Sequence, residues 1–436
     1  MTQHDLIERD RRHIWHPFTQ EATAPRPIAI VSAQGAWLNG ADGRRYMDLI
    51  SSWWVNIHGH AHPHIATAIA RQAQTLEQVI FAGFTHEPAI KLAQRLSELL
   101  PRELSRVFFS DNGSTAVEVA LKMAIQHHAN QGRKRQRIAT LQGGYHGDTV
   151  GAMSVGHSSG FFDAFSRYLF PVDVLPFPET WNGNTDEDKT EEEALMKVDH
   201  YLETWGRDLA ALIVEPLVQG ASGMRMYRPR FLQELTRRVR QAGGLIIFDE
   251  VMTGFGRTGT LFACEKGGVV PDIIALSKGL TGGFMPLAVT VCREEIHDSF
   301  LGETFDRALA HGHSFTANPL GCAAALASLE LFATGEPLRH GAALEAHHRE
   351  RLHELSTHPR VAKPRVTGII AALNVNLPGQ EGYSAAVGQR LKQFFLDRGF
   401  LIRPLGPVIY LLPPLCLTRS ELDAAWDVIT DAVNAL

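Results

Sequence analysis

The stretch Leu-Ile-Ile-Phe-Asp-Glu-Val-Met-Thr-Gly-Phe-Gly-Arg-Thr-Gly at residues 245–259, with Pro-Asp-Ile-Ile-Ala-Leu-Ser-Lys-Gly-Leu-Thr-Gly-Gly at 271–283, carries the reading of the fold. Each holds an apolar run too short for a helix and rich in β-branched residues, as a strand covered on both faces would be. Asp249 closes the first run and Lys278 comes just after the second. A carboxylate ending so apolar a strand is costly unless a cation meets it there. Five more runs of this type stand at 106–110, 137–141, 172–175, 211–215 and 287–292, and stretches of helical periodicity such as 114–128 and 230–242 separate several of them. Strands alternating with helices predict an α/β fold on a mostly parallel sheet of seven strands, with ligand sites at the strands' carboxyl ends.

Beyond residue 325 the pattern changes to long helical segments at 323–333 and 342–356, followed by short alternating runs, which predicts a smaller α+β domain. The Pro-rich segment 17–27 is expected to pack on it. The expected division is 1–60 as the N-terminal part of the small domain, 61–325 as the large domain, and 326–436 as the C-terminal part of the small one. The polar stretch 178–193, holding Asn-Gly-Asn, reads as a mobile surface loop.

With 436 residues, 44% of them hydrophobic, and a formal net charge of -5, the chain has no surplus of positive charge for a phosphate backbone. Nucleic acid is therefore not an expected partner. No apolar run nears the ~20 residues of a membrane span, and the charged start, 1–12, lacks a signal-peptide core. A cytoplasmic protein without membrane contact is the expectation. Four scattered cysteines suit reduced, structural thiols. His58, His60, His62 and His64 alternate, but Pro63 among them reads as the start of a helix, so no metal is expected. Gly254, Gly256 and Gly259 spell a dinucleotide fingerprint, yet the segment between Gly259 and the next glycines, Gly267 and Gly268, is too short for the helix that an NAD-dependent dehydrogenase needs there.

An amine and a carboxylate at neighbouring strand ends suit pyridoxal 5'-phosphate, which presents an aldehyde, a pyridine nitrogen, a flat ring and a phosphate. Lys278 would hold the aldehyde carbon, and Asp249 would keep the ring nitrogen protonated. A helix cap is the competing reading of Asp249. Gly113 and Ser114 open a helix in Ser-Asp-Asn-Gly-Ser-Thr-Ala-Val-Glu, where free amides and a hydroxyl suit phosphate, although capping alone would also explain Ser114. Tyr145, in Gly-Gly-Tyr-His-Gly-Asp-Thr, brings an aromatic face to a glycine-rich turn.

Five segments together resemble the class III aminotransferases of pyridoxal phosphate fold type I: 111–118, 144–149, 215–220, 249–259 and 277–283. Within that class the chain is most similar to the branch that aminates 8-amino-7-oxononanoate to 7,8-diaminononanoate in biotin synthesis. The marks of that branch are His-Ile-Trp-His-Pro-Phe-Thr-Gln (13–20), Ser-Ser-Trp-Trp-Val-Asn-Ile-His-Gly (51–59), His-Gly-His-Ser-Phe-Thr-Ala-Asn-Pro-Leu (311–320) and Ile-Arg-Pro-Leu-Gly (402–406). The resemblance implies a ping-pong transaminase with S-adenosylmethionine as amino donor, lysine being the donor of some relatives. It implies Lys278 as the catalytic lysine, Asp249 on the ring nitrogen, Gly113 and Ser114 on the phosphate, and Tyr145 against ring and substrate. It further implies a homodimer with shared sites, in which His313 and Ser314 reach the phosphate of the neighbouring subunit and Gly312 lies beside the substrate. Trp53 would line the substrate cavity and Arg403 would receive the carboxylate of the keto acid. Asp148 would support the Tyr145 loop and Arg257 would shape the site. Phe18, implied as a substrate-binding residue, stands where well-known members carry a tyrosine that touches the substrate and stacks on the adenine of S-adenosylmethionine, and Met252 where ω-amino acid aminotransferases carry a glutamine. The alternative within the class is an enzyme acting on another ω-amine such as ornithine or 4-aminobutyrate, and Met252 counts against it.

Overall fold

A computed structural model describes residues 3–156, 162–380, 382 and 385–436. Seven strands form its main sheet: β1 (Leu104–Ser110), β2 (Arg137–Leu141), β3 (Asp173–Leu175), β4 (Leu209–Val214), β5 (Leu245–Asp249), β6 (Ile273–Leu276) and β7 (Ala288–Arg293). Their order is β1-β7-β6-β5-β4-β2-β3. All neighbours run parallel except β7, which is antiparallel to both β6 and β1. This is the mostly parallel seven-stranded sheet that the apolar runs predict.

The continuous apolar runs have a direct cause in the layers. Ile247, Ile273 and Ala275 face the helix Gly113–Asn130, while Ile246, Phe248, Ile274 and Leu276 face the larger core on the other side. Both faces are dry, so no position in these strands is free to be polar until the strand ends. Asp249 pairs with Ala275 at the last register position of β5 and β6, which sets its carboxylate one strand away from the chain leading into Lys278.

Segments from both ends of the chain share a second sheet. The strand Arg45–Asp48 pairs antiparallel with Trp37–Gly40 and parallel with Phe400–Leu401. A three-stranded antiparallel sheet, Val361–Thr367, Ile370–Val375 and Val408–Leu411, completes the C-terminal part.

The stretch 178–193 differs from its expected form. The Thr180 amide donates to the Met226 carbonyl (2.8 Å) and the Asn182 amide to that of Pro364 (2.7 Å), and from Glu187 onward the chain is helix, Glu187–Trp205. Acidic residues in that helix's first turn suit its positive end, so composition that suggested a loop is helix-starting composition. The alternating histidines take different partners: His58 bonds Ser328 and meets the His62 ring at 6.1 Å between centroids, His60 bonds Asp48 and His64 bonds Glu330, and the helix Pro63–Ala73 begins among them. Among the described residues no helix is long and apolar enough to cross a membrane.

Candidate active site

A cavity of about 800 Å³ opens at the carboxyl ends of β5 and β6, and both Asp249 and Lys278 line it. Lys278 begins a single 3₁₀ turn and takes a left-handed φ of 45°, with Ser277 beneath it donating its hydroxyl to the Leu287 carbonyl at 2.8 Å. The amine has no hydrogen-bond or ion-pair partner among the described residues and lies 4.6 Å from the centroid of the Trp54 ring. Burial lowers its pKa to about 8, against the opposing pull of Asp249 and Glu215. An amine held this way is neutral for a useful fraction of the time near neutral pH, as a nucleophile or proton carrier must be.

Asp249 is fixed on both oxygens. His146 Nδ1 bonds Oδ2 at 2.7 Å, and the Val251 amide donates to Oδ1 at 3.0 Å. No helix begins directly after Asp249, since 251–260 is a series of turns, so the helix-cap alternative falls. Behind it, buried Glu215 accepts the amides of Tyr145 (3.1 Å) and Gly220 (3.0 Å), and burial pushes its pKa up to about 7.

At the start of the helix Gly113–Asn130 the cap is Asn112, whose side chain accepts the Thr115 amide at 3.1 Å in a capping box. Ser114 is thereby released from the capping role. Its hydroxyl instead bonds Thr149 Oγ1 (2.7 Å) and accepts the Thr149 amide (3.0 Å). A Cβ on Gly113 would come within 2.6 Å of Val251 Cγ1, so only glycine lets this helix end approach the turn after Asp249. Tyr145 donates its hydroxyl to Asp148 Oδ1 at 3.0 Å and stacks on Phe162 at 6.4 Å between centroids. Burial and the Asp148 carboxylate raise the phenol's pKa.

The far end of the cavity is built from both chain termini. Arg403 lies 4.2 Å from the Trp53 ring centroid, and Phe18 meets the same ring edge-on at 5.6 Å. Arg403 has no carboxylate partner among the described residues. Phe18 and Trp53 remain 51% and 40% exposed. Trp53 belongs to a turn in which four successive residues, Ser51, Ser52, Trp53 and Trp54, take φ of 50°, 46°, 72° and 72°. Left-handed backbone costs a residue with a Cβ roughly 1–2 kcal/mol, so this turn needs outside support.

Arg257 supplies part of it. Fully buried, it donates to Ser51 Oγ (3.1 Å) and to the carbonyls of Trp54 (3.1 Å), Asn56 (3.0 Å) and Pro413 (2.8 Å). It does not line the cavity, and it acts through that turn. Gly312, His313 and Ser314 lie outside the cavity on a partly exposed segment; Gly312 and Ser314 are solvent-facing, and His313 sits 3.7 Å from Asp111. Within one chain, then, Lys278, Asp249, Gly113, Ser114, Tyr145, Asp148, Trp53, Phe18 and Arg403 come together, and the 312–314 segment does not join them. His146, Glu215, Trp54 and Tyr410 were not singled out from the sequence. His146 and Glu215 stand inside the family motifs at 144–149 and 215–220, whereas Tyr410, which accepts the Trp54 indole N–H at 3.0 Å, carries no sequence signal.

A lysine of lowered pKa facing a clamped carboxylate, beside a helix N-terminus and aromatic faces, defines an enzyme site for a phosphorylated aromatic aldehyde. The donor set fits pyridoxal phosphate group by group. The family model for aminotransferase class-III matches residues 18–433. An adenosylmethionine-8-amino-7-oxononanoate aminotransferase of Synechococcus elongatus is 55% identical over 424 residues, spanning 97% of this chain and 99% of that protein. The structure of an adenosylmethionine-8-amino-7-oxononanoate aminotransferase of Methanocaldococcus jannaschii matches with a TM-score of 0.92 at 33% identity, covering 99% of each chain. An amine transaminase from an uncultivated Pseudomonas species, in its PLP-bound form, matches with a TM-score of 0.91 at 31% identity over 97% of this chain and 98% of that one. The chain belongs to the class III aminotransferases, enzymes that work with pyridoxal phosphate.

Proposed function

We propose that the protein transfers the amino group of S-adenosylmethionine to 8-amino-7-oxononanoate, giving 7,8-diaminononanoate. The observation that carries this reading is one cavity with Lys278 and Asp249 at one end and, at the other, Arg403 on the face of Trp53 without a carboxylate partner among the described residues. A transaminase for a long aliphatic keto acid needs this combination: a reactive amine, an apolar wall and a fork-shaped cation at the far end. The relatives from Synechococcus elongatus and Methanocaldococcus jannaschii carry that activity in their names.

When bound, pyridoxal phosphate supplies a carbon that exchanges amines and a ring that accepts an electron pair. Lys278 would hold the cofactor at rest and, once released, move a proton to and from the substrate carbon. Asp249, kept in place by His146, would face the ring nitrogen. Amides at Gly113 and Ser114, with the Ser114 hydroxyl, would hold the phosphate. Arg403 would orient the keto acid by its carboxylate, and Trp53 would exclude water along its chain. Gly312, His313 and Ser314 would complete the site of a second copy, which makes a homodimer the working form; the exposed Trp15, Phe84 and Phe315 are apolar surface that such a contact would cover. Segments 1–60 and 326–436 would form one small domain, in line with the pairing of Arg45–Asp48 with Phe400–Leu401.

The test uses purified holoenzyme. The visible absorbance of the lysine-linked cofactor is followed on mixing with S-adenosylmethionine and, separately, with lysine, and 8-amino-7-oxononanoate is then added and the product weighed by mass spectrometry. Conversion by S-adenosylmethionine followed by formation of 7,8-diaminononanoate is expected. Conversion by lysine alone would replace the donor. Preference for 4-aminobutyrate or ornithine would replace the reading itself with that of an ω-amino acid enzyme.

A further inference from the structure

The turn Ser51–Trp54 is the only run of consecutive non-glycine residues with left-handed φ among the described residues. Neither serine nor tryptophan takes that conformation readily, and no glycine relieves it. We infer that Asp48 is the positioning residue that holds this turn, and that through it one buried carboxylate sets both tryptophans of the cavity. The substrate arm of this inference rests on the function proposed above.

Asp48 ends the strand Arg45–Asp48 and is fully buried. Its Oδ1 accepts the amides of Ile50 (3.2 Å) and Ser52 (3.0 Å). Its Oδ2 accepts the Ser52 hydroxyl (2.7 Å) and bonds His60 Nε2 (2.8 Å). Two backbone amides and a hydroxyl therefore converge on one side chain at the start of the left-handed segment. Ser52 is the residue gripped twice, and it directly precedes the indoles. Trp53 reaches Arg403 and Phe18 at the outer end, while Trp54 lies under the Lys278 amine at the inner end. Side-chain direction is set by φ and ψ, so a turn relaxed to right-handed backbone would carry both indoles out of these contacts. Arg257 grips the same turn from its carbonyl side. Asp48 meets the Ser52 amide inside the turn and the Ile50 amide just before it, while the Trp54 amide donates to the Ile50 carbonyl at 2.8 Å.

The experiment compares Asp48→Ala with Asp48→Ala/Ser52→Gly and Asp48→Ala/Ser52→Ala. Near-ultraviolet circular dichroism reads the tryptophan environment. Steady-state kinetics separate KM for 8-amino-7-oxononanoate from kcat. Asp48→Ala is expected to weaken the tryptophan signal and to raise that KM roughly tenfold or more, with a smaller change in kcat. Glycine at 52 takes left-handed φ without a Cβ clash and is expected to restore most of both readouts, whereas alanine restores neither. A wild-type signal and KM in Asp48→Ala, or equal rescue by glycine and alanine, would overturn the inference. Should Asp48→Ala not fold, Asp48→Asn, which keeps an acceptor oxygen for the two amides, is expected to retain the wild-type tryptophan signal and KM, and loss of both in a folded Asp48→Asn would overturn the inference. Wild-type enzyme that ignores 8-amino-7-oxononanoate would sink the proposed function, and the dichroism arm alone would then decide the role of Asp48.

Discussion

At one end of the cavity Asp249 and Lys278 stand at the ends of neighbouring strands in a sheet buried on both faces. At the other, Phe18, Trp53 and Arg403 come from opposite ends of the chain and stay partly open to solvent. At the inner end hydrogen bonds hold the groups around the lysine: Asp249, at the end of a buried strand, by His146 and Val251, Ser114, at a helix start, by Thr149, and Tyr145 by Asp148. The outer end is held by ring contacts and a strained turn. A shared chemistry needs a fixed inner end, whereas choice of substrate needs an outer end that differs from one enzyme to the next.

Removal of the inner amine gives the largest expected effect. Lys278→Ala should lower turnover on the order of 10⁴-fold or more while thermal melting still shows a folded protein. Substantial residual turnover would mean that the inner end is not where the chemistry sits. Next in size, Arg403→Ala should raise KM for the keto acid by about 10- to 100-fold with kcat less affected, the worth of a charge-assisted, forked contact. An unchanged KM would take the carboxylate away from the outer end.

A third prediction concerns pH. Burial lowers the Lys278 pKa from 10.5 to about 8. Below about pH 8 the amine is charged in both folded and unfolded chains, and the cofactor-free protein bears the full burial cost. Between about 8 and 10.5 the unfolded chain still binds a proton that the folded one has released, so stability rises with pH. Cofactor-free Lys278→Met should thus be more stable than cofactor-free wild type below pH 8, by about 1–3 kcal/mol after allowance for water entering the cavity. Urea unfolding at several pH values should show the gap closing toward pH 10.5, and a constant gap would remove burial as its cause. The smallest effect belongs to Phe18→Tyr. A restored hydroxyl should lower KM for S-adenosylmethionine by about 2- to 10-fold. No change would mean that the ring face suffices.

The inner end was legible in the sequence because of the strands that carry it. Strands covered on both faces must be apolar throughout, so Asp249 and Lys278 stand out against them, and all seven strands could be placed within a few residues. His146 and Glu215 sat in recognisable motifs, but their tasks depend on partners in distant segments, Asp249 and the amides of Tyr145 and Gly220. At the outer end Trp53 and Arg403 were legible only through resemblance. The turn that presents Trp53 has no glycine to announce positive φ, and Asp48 looks from sequence like any acidic residue after a short strand. Polar composition at 178–193 pointed to a loop because its acidic residues suit solvent and a helix start equally well.

Strand order has a consequence for the growing chain. β1, which leads into Gly113 and Ser114, has a single neighbour in the sheet, and that neighbour is β7, which comes after Lys278. Roughly 180 residues separate the two, and at about 5–20 residues per second their synthesis takes roughly 10 to 35 s. For that interval the first strand of the main sheet lacks its one sheet neighbour, and the helix that starts at Gly113 follows an unpaired strand. An unpaired strand edge is a template for pairing with other chains, so this is the interval in which the growing chain is open to aggregation.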